Sequence, residues 1–215
     1  MPKINQGRVV LLHGAEYRKR DRGTNMRRLA PSFRAAGFCV IIPTYGLVPA
    51  LLLGLLPWLD ARIAEAMSGF IDSDDILVGH SNGATLAYLI SKRLKVRGAV
   101  LVNAALNSNK CPDAGFIHVY YNAGDIITKL SQWIPFHPWG SMGGIGYTGP
   151  YSGRLRNINQ GKPPEPWLPA LNGHSAVFQI RNTRPWARYM AESCLQDVLA
   201  LYPKEPSCFP ISKPN

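Results

Sequence analysis

One turn in the sequence has the residue types needed for a reactive nucleophile. Residues 79–83 read Gly-His-Ser-Asn-Gly, they follow the apolar run 76–78, and a helical pattern begins at Ala84. A strand, a tight turn and a helix in this order lift a serine hydroxyl clear of both elements, and little but glycine fits beside it. Ser81 is therefore the candidate nucleophile, and the backbone N–H of Asn82 is a candidate donor to a developing oxyanion. An ordinary glycine-flanked turn is the alternative.

A serine nucleophile needs a base that takes its proton and a carboxylate that orients the base. Asp125 closely follows the apolar run 116–121, and His174 lies in a loop after the last predicted strand. Parallel strands end at one edge of a sheet, so Ser81, Asp125 and His174 are expected there as nucleophile, acid and base. Each also has an ordinary explanation, since Gly-Asp pairs are common in turns and loop histidines are usually exposed.

The elements that would position these side chains alternate between strands and helices. Strands are predicted at 8–12, 38–42, 75–78, 98–103, 116–121 and 154–159. Helices are predicted from Thr24 or Asn25 to Ala36, from Trp58 to Phe70, from Ala84 to Val96, and from Thr183, with Pro185 in the first turn, to Tyr202. This alternation favours a parallel sheet with right-handed crossovers. One domain over residues 1–203, followed by a Pro-rich tail at 204–215, is expected.

The composition is that of a globular protein, with 46% hydrophobic and 17% charged residues. No apolar run is long enough to span a bilayer and residues 1–7 lack an apolar signal core, so a cytoplasmic location is predicted. The four cysteines, Cys39, Cys111, Cys194 and Cys208, lie far apart with no histidine cluster beside them. Neither a disulfide framework nor a metal site is therefore indicated, and no cofactor is expected.

Positive charge is concentrated near the N-terminus. The formal net charge is +11, and the stretch from Arg18 to Arg34 holds seven Lys or Arg residues against the single acid Asp21. Such a patch suits an anionic partner such as acidic lipid, nucleic acid or a phosphorylated substrate. A solvated helix face is the alternative, and neither a nucleic-acid motif nor interleaved aromatic residues accompany the charges. The sequence gives no indication of oligomeric state.

Three segments are candidates for covering a substrate. Residues 47–59 are nearly all apolar, residues 126–153 are rich in Gly, Trp and Pro without clear periodicity, and residues 162–169 are rich in proline. A long irregular loop in a compact domain is usually functional or mobile. If segment 47–57 lines the site, longer acyl groups are preferred, since each buried CH₂ contributes about 0.8 kcal/mol. Its burial in the core is the alternative.

Over about residues 8–200 the chain resembles the α/β-hydrolase superfamily. The likeness is carried by Val9-Val10-Leu11-Leu12-His13-Gly14, Gly79-His80-Ser81-Asn82-Gly83, Gly124-Asp125 and Gly173-His174-Ser175. It implies an α/β fold of minimal size, with about six parallel strands flanked by helices on both faces. The chain departs from the fuller family pattern because it lacks room for two preceding antiparallel strands and for a separate cap domain. A small, capless member similar to serine esterases and lipases is expected.

The resemblance also implies roles for individual residues. In this family the residue after the early His-Gly donates the first oxyanion N–H, which corresponds to Ala15 here, paired with Asn82. Gly14, His80 and Tyr45 are expected to contact a small-molecule ester or acyl substrate. The implied activity is cleavage of a carboxylic ester through an acyl-enzyme intermediate. A thioesterase or acyltransferase using the same three groups, or a catalytically idle fold that binds an anionic partner, are the alternatives.

Overall fold

A computed structural model of the chain describes residues 6–14, 24–45, 57–131, 133, 139–150 and 154–201. Six strands lie in these ranges: β1 (Arg8–Leu12), β2 (Cys39–Ile41), β3 (Ile76–His80), β4 (Val96–Val102), β5 (Ala114–Tyr121) and β6 (Leu155–Asn159). The α-helices are α1 (Thr24–Arg27), α2 (Ala30–Ala35), α3 (Pro57–Ser68), α4 (Asn82–Ser91), α5 (Ile126–Ser131), α6 (Met142–Ile145) and α7 (Ile180–Leu201), and a 3₁₀-helix spans Ala176–Phe178.

The six strands form one sheet in the order β2-β1-β3-β4-β5-β6, and every neighbouring pair is parallel. Parallel strands must be connected by crossovers, which place the helices on the faces of the sheet. The chain runs outward from β1 to β2 and then returns to the other side of β1 with β3. The predicted parallel α/β fold of about six strands is therefore confirmed.

One face of the sheet is covered by α1, α2 and α7. The side chains of Val9 and Leu11 on β1 point to this face, where they join Phe33 of α2 and Trp186 of α7 in one buried cluster. All four of these side chains are fully inaccessible to solvent. The long helix α7 is held here because its buried residues recur at helical spacing along one side.

The opposite face is covered by α3 and α4. Val10 and Leu12, the alternate residues of β1, point to this side and pack in a second cluster with Ala64 of α3 and Leu86 of α4. Successive side chains of a strand point to opposite faces, so a strand buried on both sides reads as the continuous apolar run seen in the sequence. Helices therefore flank both faces, as predicted.

Three of the predicted helices are divided or shifted in the structure. The single helix expected from residue 24 to 36 is divided into α1 and α2, because Pro31 has no N–H to donate to the Arg27 carbonyl and its ring crowds that carbonyl. The helix after the Ser81 turn begins at Asn82 and ends at Ser91, since Val96 already pairs with Ala114 in the sheet.

The last helix starts at Ile180 rather than at Thr183. The Gln179 carbonyl accepts hydrogen bonds from the backbone N–H groups of Asn182 at 2.8 Å and Thr183 at 3.0 Å, and from the Thr183 hydroxyl at 2.9 Å. Thr183 therefore bonds back into the helix instead of capping it. Pro185 consequently lies in the second turn of α7 and not in the first.

The segment 126–153, expected to be irregular, contains two short helices. The backbone N–H groups of Met142 and Gly143 donate to the carbonyls of Leu106 and Ala104, both just beyond β4. Met142 is fully buried. The second half of this segment is thus packed onto the strand ends, which the sequence pattern did not indicate.

Several predictions fall outside the described residues. These concern Ala15, the basic segment 18–23, most of the apolar segment 47–57 and the tail 204–215. Of the helices in the described ranges, none combines the length and apolar character that crossing a bilayer requires.

Candidate active site

The candidate site lies where the order of the strands reverses. β1 and β3 are adjacent, and the chain leaves them in opposite directions across the sheet. In open parallel sheets, ligands bind at the carboxyl ends of the strands at such a reversal. Gly14 follows β1 closely and Ser81 follows β3 directly. A Cβ atom added at Gly14 would lie 2.9 Å from the Cβ of Ser81, so the two residues face each other.

Ser81 has a strained backbone, with φ 54° and ψ −121°. Neighbouring strands hold it there: its N–H donates to the Val102 carbonyl at 3.0 Å, and its carbonyl accepts from the Ala105 N–H at 3.1 Å. A non-glycine residue in such a conformation costs about 1–3 kcal/mol and persists only when its surroundings enforce it. The strain of the turn is thus carried by the candidate nucleophile itself.

The two glycines of the motif are required by close packing. A Cβ at Gly79 would lie 2.4 Å from the Gly83 carbonyl oxygen, and a Cβ at Gly83 would lie 2.2 Å from the Leu12 carbonyl oxygen. Neither glycine has a positive φ. Helix α4 therefore crosses β1 and β3 at a distance that leaves no room for a side chain, and this crossing places Ser81 at the sheet edge.

Asp125 and His174 are in direct contact. The Nδ1 atom of His174 lies 2.8 Å from Oδ2 of Asp125, whose side chain is fully buried. Burial raises the pKa of Asp125, but the hydrogen bonds from His174, from the Thr128 backbone and from Asn103 outweigh it, so the net pKa is lowered. The carboxylate can only accept, so Nδ1 of His174 carries the proton. Nε2 is then the nitrogen with a free lone pair.

Two asparagines that the sequence analysis did not single out hold this pair. Asn103 has a positive φ of 46° and donates from Nδ2 to Asp125 Oδ2 at 3.1 Å. Asn122 bonds both backbone groups of Gly173: its Nδ2 donates to the carbonyl at 3.0 Å, and its Oδ1 accepts from the N–H at 3.1 Å. Asn122 directly follows β5, the strand that leads to Asp125, and Asn103 directly follows the neighbouring strand β4. Polar residues at these strand ends were the available signal in the sequence.

His80 connects the Ser81 turn to the His174 loop. Its Nε2 donates to the His174 carbonyl at 3.1 Å, and its ring meets that of Phe178 edge-on at 4.7 Å. Burial and, secondarily, the proximity of His174 lower the pKa of His80 to about 3, so it stays neutral. The structure gives His80 a positioning role, and its contact with a substrate remains a prediction.

Asn82 is held by two residues that sequence reasoning missed. Its Nδ2 donates to Oδ1 of Asp60 on α3 at 3.0 Å, and its Oδ1 accepts from Trp139 Nε1 at 2.8 Å. Asp60 is 1% exposed, and burial raises its pKa to about 6 despite the bond from Asn82. The backbone N–H of Asn82 lies in the first turn of α4, where N–H groups have no partner within the helix.

Tyr45 stabilises the turn that leads to Gly14. Its hydroxyl donates to the His13 carbonyl, and its ring stacks on that of His13 with centroids 4.0 Å apart. Tyr45 thus lies next to the predicted oxyanion loop, while the first predicted donor, Ala15, is outside the described residues. Substrate contacts by Tyr45 and Gly14 remain predictions.

His118 does not belong to this site. It is fully buried in β5, and its Nε2 lies 2.5 Å from Asp197 Oδ2 on α7. Burial lowers the pKa of His118, and Asp197 offsets only part of this effect. His118 is therefore a core residue whose Nε2 has a polar partner, while its buried Nδ1 has none in the described residues. In the described part of the chain, no group of three or more His, Cys, Asp or Glu side chains could hold a metal ion.

A sequence model of the alpha/beta hydrolase family matches residues 9–206, which is most of the chain. The chain belongs to the α/β-hydrolase family. A search of curated proteins found no match to this α/β hydrolase. The family assignment therefore rests on the family match and on the fold.

Solved structures share this fold. RedJ, a thioesterase from the prodiginine biosynthetic pathway in Streptomyces coelicolor, is similar with a TM-score of 0.53 and 13% identity, covering 89% of this chain and 92% of that one. The pyrethroid hydrolase PytH is similar with a TM-score of 0.51 and 13% identity, covering 92% of this chain and 98% of that one. At such identities the likeness concerns the fold alone.

Proposed function

We propose that this α/β hydrolase is a serine hydrolase that cleaves a carboxylic ester through an acyl-enzyme intermediate. The observation that carries the proposal is the 2.8 Å bond between His174 Nδ1 and Asp125, at the sheet edge where the strained Ser81 lies. A buried carboxylate on one ring nitrogen leaves the other able to take a proton from a hydroxyl. Ser81, which follows the neighbouring strand end directly, is the nucleophile that this base would serve.

The reaction proceeds in two steps. The Ser81 oxygen attacks the ester carbonyl carbon as its proton passes to Nε2 of His174. The carbonyl oxygen becomes an oxyanion, which the backbone N–H of Asn82 stabilises together with a second donor, by resemblance that of Ala15. Collapse of this intermediate expels the alcohol, which takes the proton from His174, and leaves the acyl group on Ser81.

Water completes the cycle. It attacks the acyl-enzyme while giving a proton to His174, and the second tetrahedral intermediate releases the carboxylic acid as Ser81 recovers its proton. Each oxyanion donor contributes about 2.7–4 kcal/mol to such a reaction. Thioester cleavage and acyl transfer need the same groups and differ in the leaving group or the acceptor, so ester hydrolysis is the first member of this set to test.

The proposal is tested with p-nitrophenyl esters of increasing chain length and matched thioesters, using the parent protein and Ser81→Ala. Mass spectrometry of the protein during turnover should show an acyl adduct on the peptide that contains Ser81. Ser73→Ala, which changes an exposed serine in the turn before β3, is the matched control and should retain full activity. Unchanged turnover by Ser81→Ala would remove the proposed mechanism, and faster cleavage of thioesters would select the thioesterase alternative.

A further inference from the structure

A groove between α2 and α7 lies outside the candidate site. Its volume is about 960 Å³. The walls are partly apolar, with Pro31 and Ala35 from the α2 side and Ile180 and Leu195 from the α7 side. Ile180, at the first position of α7, is 86% exposed. Ile180 therefore adds exposed apolar surface to the lining of the groove.

Arginines line this groove and cover the surface around it. Three of them, Arg28, Arg184 and Arg188, line the groove itself. The segments 24–36 and 176–201, which contain the two helices, together hold six arginines, no lysine and two acidic residues, Glu192 and Asp197. All six arginines are exposed: Arg27, Arg28, Arg34, Arg181, Arg184 and Arg188.

Most of this charge is not neutralised within the described residues. Glu192 is bonded to Arg188 at 2.7 Å, and it is the only carboxylate that pairs with any of the six arginines in those ranges. Arg28 donates to the Phe178 carbonyl at 2.5 Å, which orders its guanidinium but leaves its charge in place. The residues just before α1 add Arg18, Lys19, Arg20 and Arg22 in the sequence.

We propose that the α2–α7 groove and its arginines dock an anionic membrane surface. Guanidinium groups bind phosphate oxygens in a bidentate fashion, which favours arginine over lysine. Apolar side chains between the arginines suit the boundary between lipid head groups and acyl chains, where peripheral helices bury their apolar faces. A soluble polyanion would use the same charges but would gain nothing from exposed Ile180.

The docking surface adjoins the candidate site. Phe178, whose carbonyl binds Arg28, packs its ring against His80, and His80 in turn binds the His174 carbonyl. Phe178 therefore links the arginines of the groove, through His80, to the loop that contains His174. Docking does not depend on the chemistry of Ser81, so Ser81→Ala should bind vesicles as the parent does, and failure of one proposal leaves the other standing.

The test is sedimentation of the full chain with vesicles made from equal parts of phosphatidylcholine and phosphatidylglycerol, and with phosphatidylcholine alone. A polybasic surface gains about fivefold in binding for each arginine near an anionic bilayer. Arg34→Gln with Arg184→Gln should therefore weaken binding to the anionic vesicles about 25-fold. The matched control is Arg62→Gln with Arg93→Gln, which removes the same charge from exposed positions beside the opposite face of the sheet and should change binding much less.

Two further results decide the identity of the partner. Ile180→Ser keeps the charge and should weaken vesicle binding severalfold while leaving binding to heparin unchanged. Equal vesicle binding by the parent and the Arg34→Gln, Arg184→Gln variant overturns the proposal. Tight binding to heparin or RNA without binding to anionic vesicles also overturns it, since the surface would then serve a soluble polyanion.

Discussion

The buried carboxyl of Asp60 should make stability depend on pH in a direction opposite to that of most acids. Oδ1 of Asp60 accepts a hydrogen bond from Asn82, while Oδ2 is buried with no partner in the described residues. Burial raises the pKa of Asp60 from its usual 3.8 to about 6. The change that isolates this effect is Asp60→Asn, which keeps an acceptor for Asn82 and cannot ionise.

The sign and size of the effect follow from proton linkage. Between about pH 4 and pH 6 the unfolded chain has lost the Asp60 proton while the folded protein retains it, so the contribution of Asp60 to stability falls as the pH rises. A difference of about two pH units between the folded and unfolded pKa values corresponds to about 3 kcal/mol. Above the pKa of Asp60 in the folded protein, its contribution to stability is lost completely. Below the pKa of Asp60 in the unfolded chain, that contribution is fully present.

The pH-dependent contribution of Asp60 to stability is measured by urea unfolding of the parent and of Asp60→Asn at pH 4.5 and pH 7.5. The free energy of unfolding of Asp60→Asn relative to the parent should increase by about 2 kcal/mol from the lower to the higher pH. Comparing the difference between the two proteins at the two pH values cancels the contributions of the other titrating groups and the pH-independent cost of the new amide. Parallel pH profiles for the two proteins would show that the Asp60 carboxyl is not desolvated, and would refute the reasoning.

Two further substitutions test the site geometry. Asp125→Asn should lower kcat by on the order of 10⁴ with little change in KM, because the amide favours the wrong tautomer of His174, and a loss below tenfold would contradict the assigned role. Gly83→Ala should destabilise the fold by about 3 kcal/mol or more, since its Cβ would lie 2.2 Å from a backbone oxygen. Gly69→Ala, whose Cβ would meet its nearest neighbour at 3.5 Å, should lie within about 0.5 kcal/mol of the parent in thermal unfolding. Equal melting temperatures for the two variants would contradict the packing argument.

The parts of the site that the sequence revealed are those tied to strand ends. Ser81, Asp125 and His174 each follow a predicted strand, and parallel strands end at the same edge of a sheet. The sheet itself was predictable because strands buried on both faces form continuous apolar runs. The bond between Asp125 and His174 therefore joins two residues that the sequence had already placed together.

The supporting contacts could not be predicted in this way. Asn82 bonds Asp60, which lies 22 residues before it, and Trp139, which lies 57 residues after it. No local sequence pattern encodes contacts over such separations. Helix ends were equally difficult, because Thr183 and Pro185 match a helix start that tertiary packing moved to Ile180. Local helix propensity does not set the start of a helix where burial of one helix face contributes more free energy than an N-cap does.

The central claim is that Ser81 is an activated nucleophile, and a fluorophosphonate serine probe tests it most directly. The parent protein and the control Ser73→Ala should be labelled at Ser81, while Ser81→Ala and His174→Ala should not be labelled. Circular dichroism should show that both unlabelled variants are folded. If the folded parent is not labelled, or if Ser81→Ala is labelled as strongly as the parent, the account of Ser81 as the nucleophile is wrong.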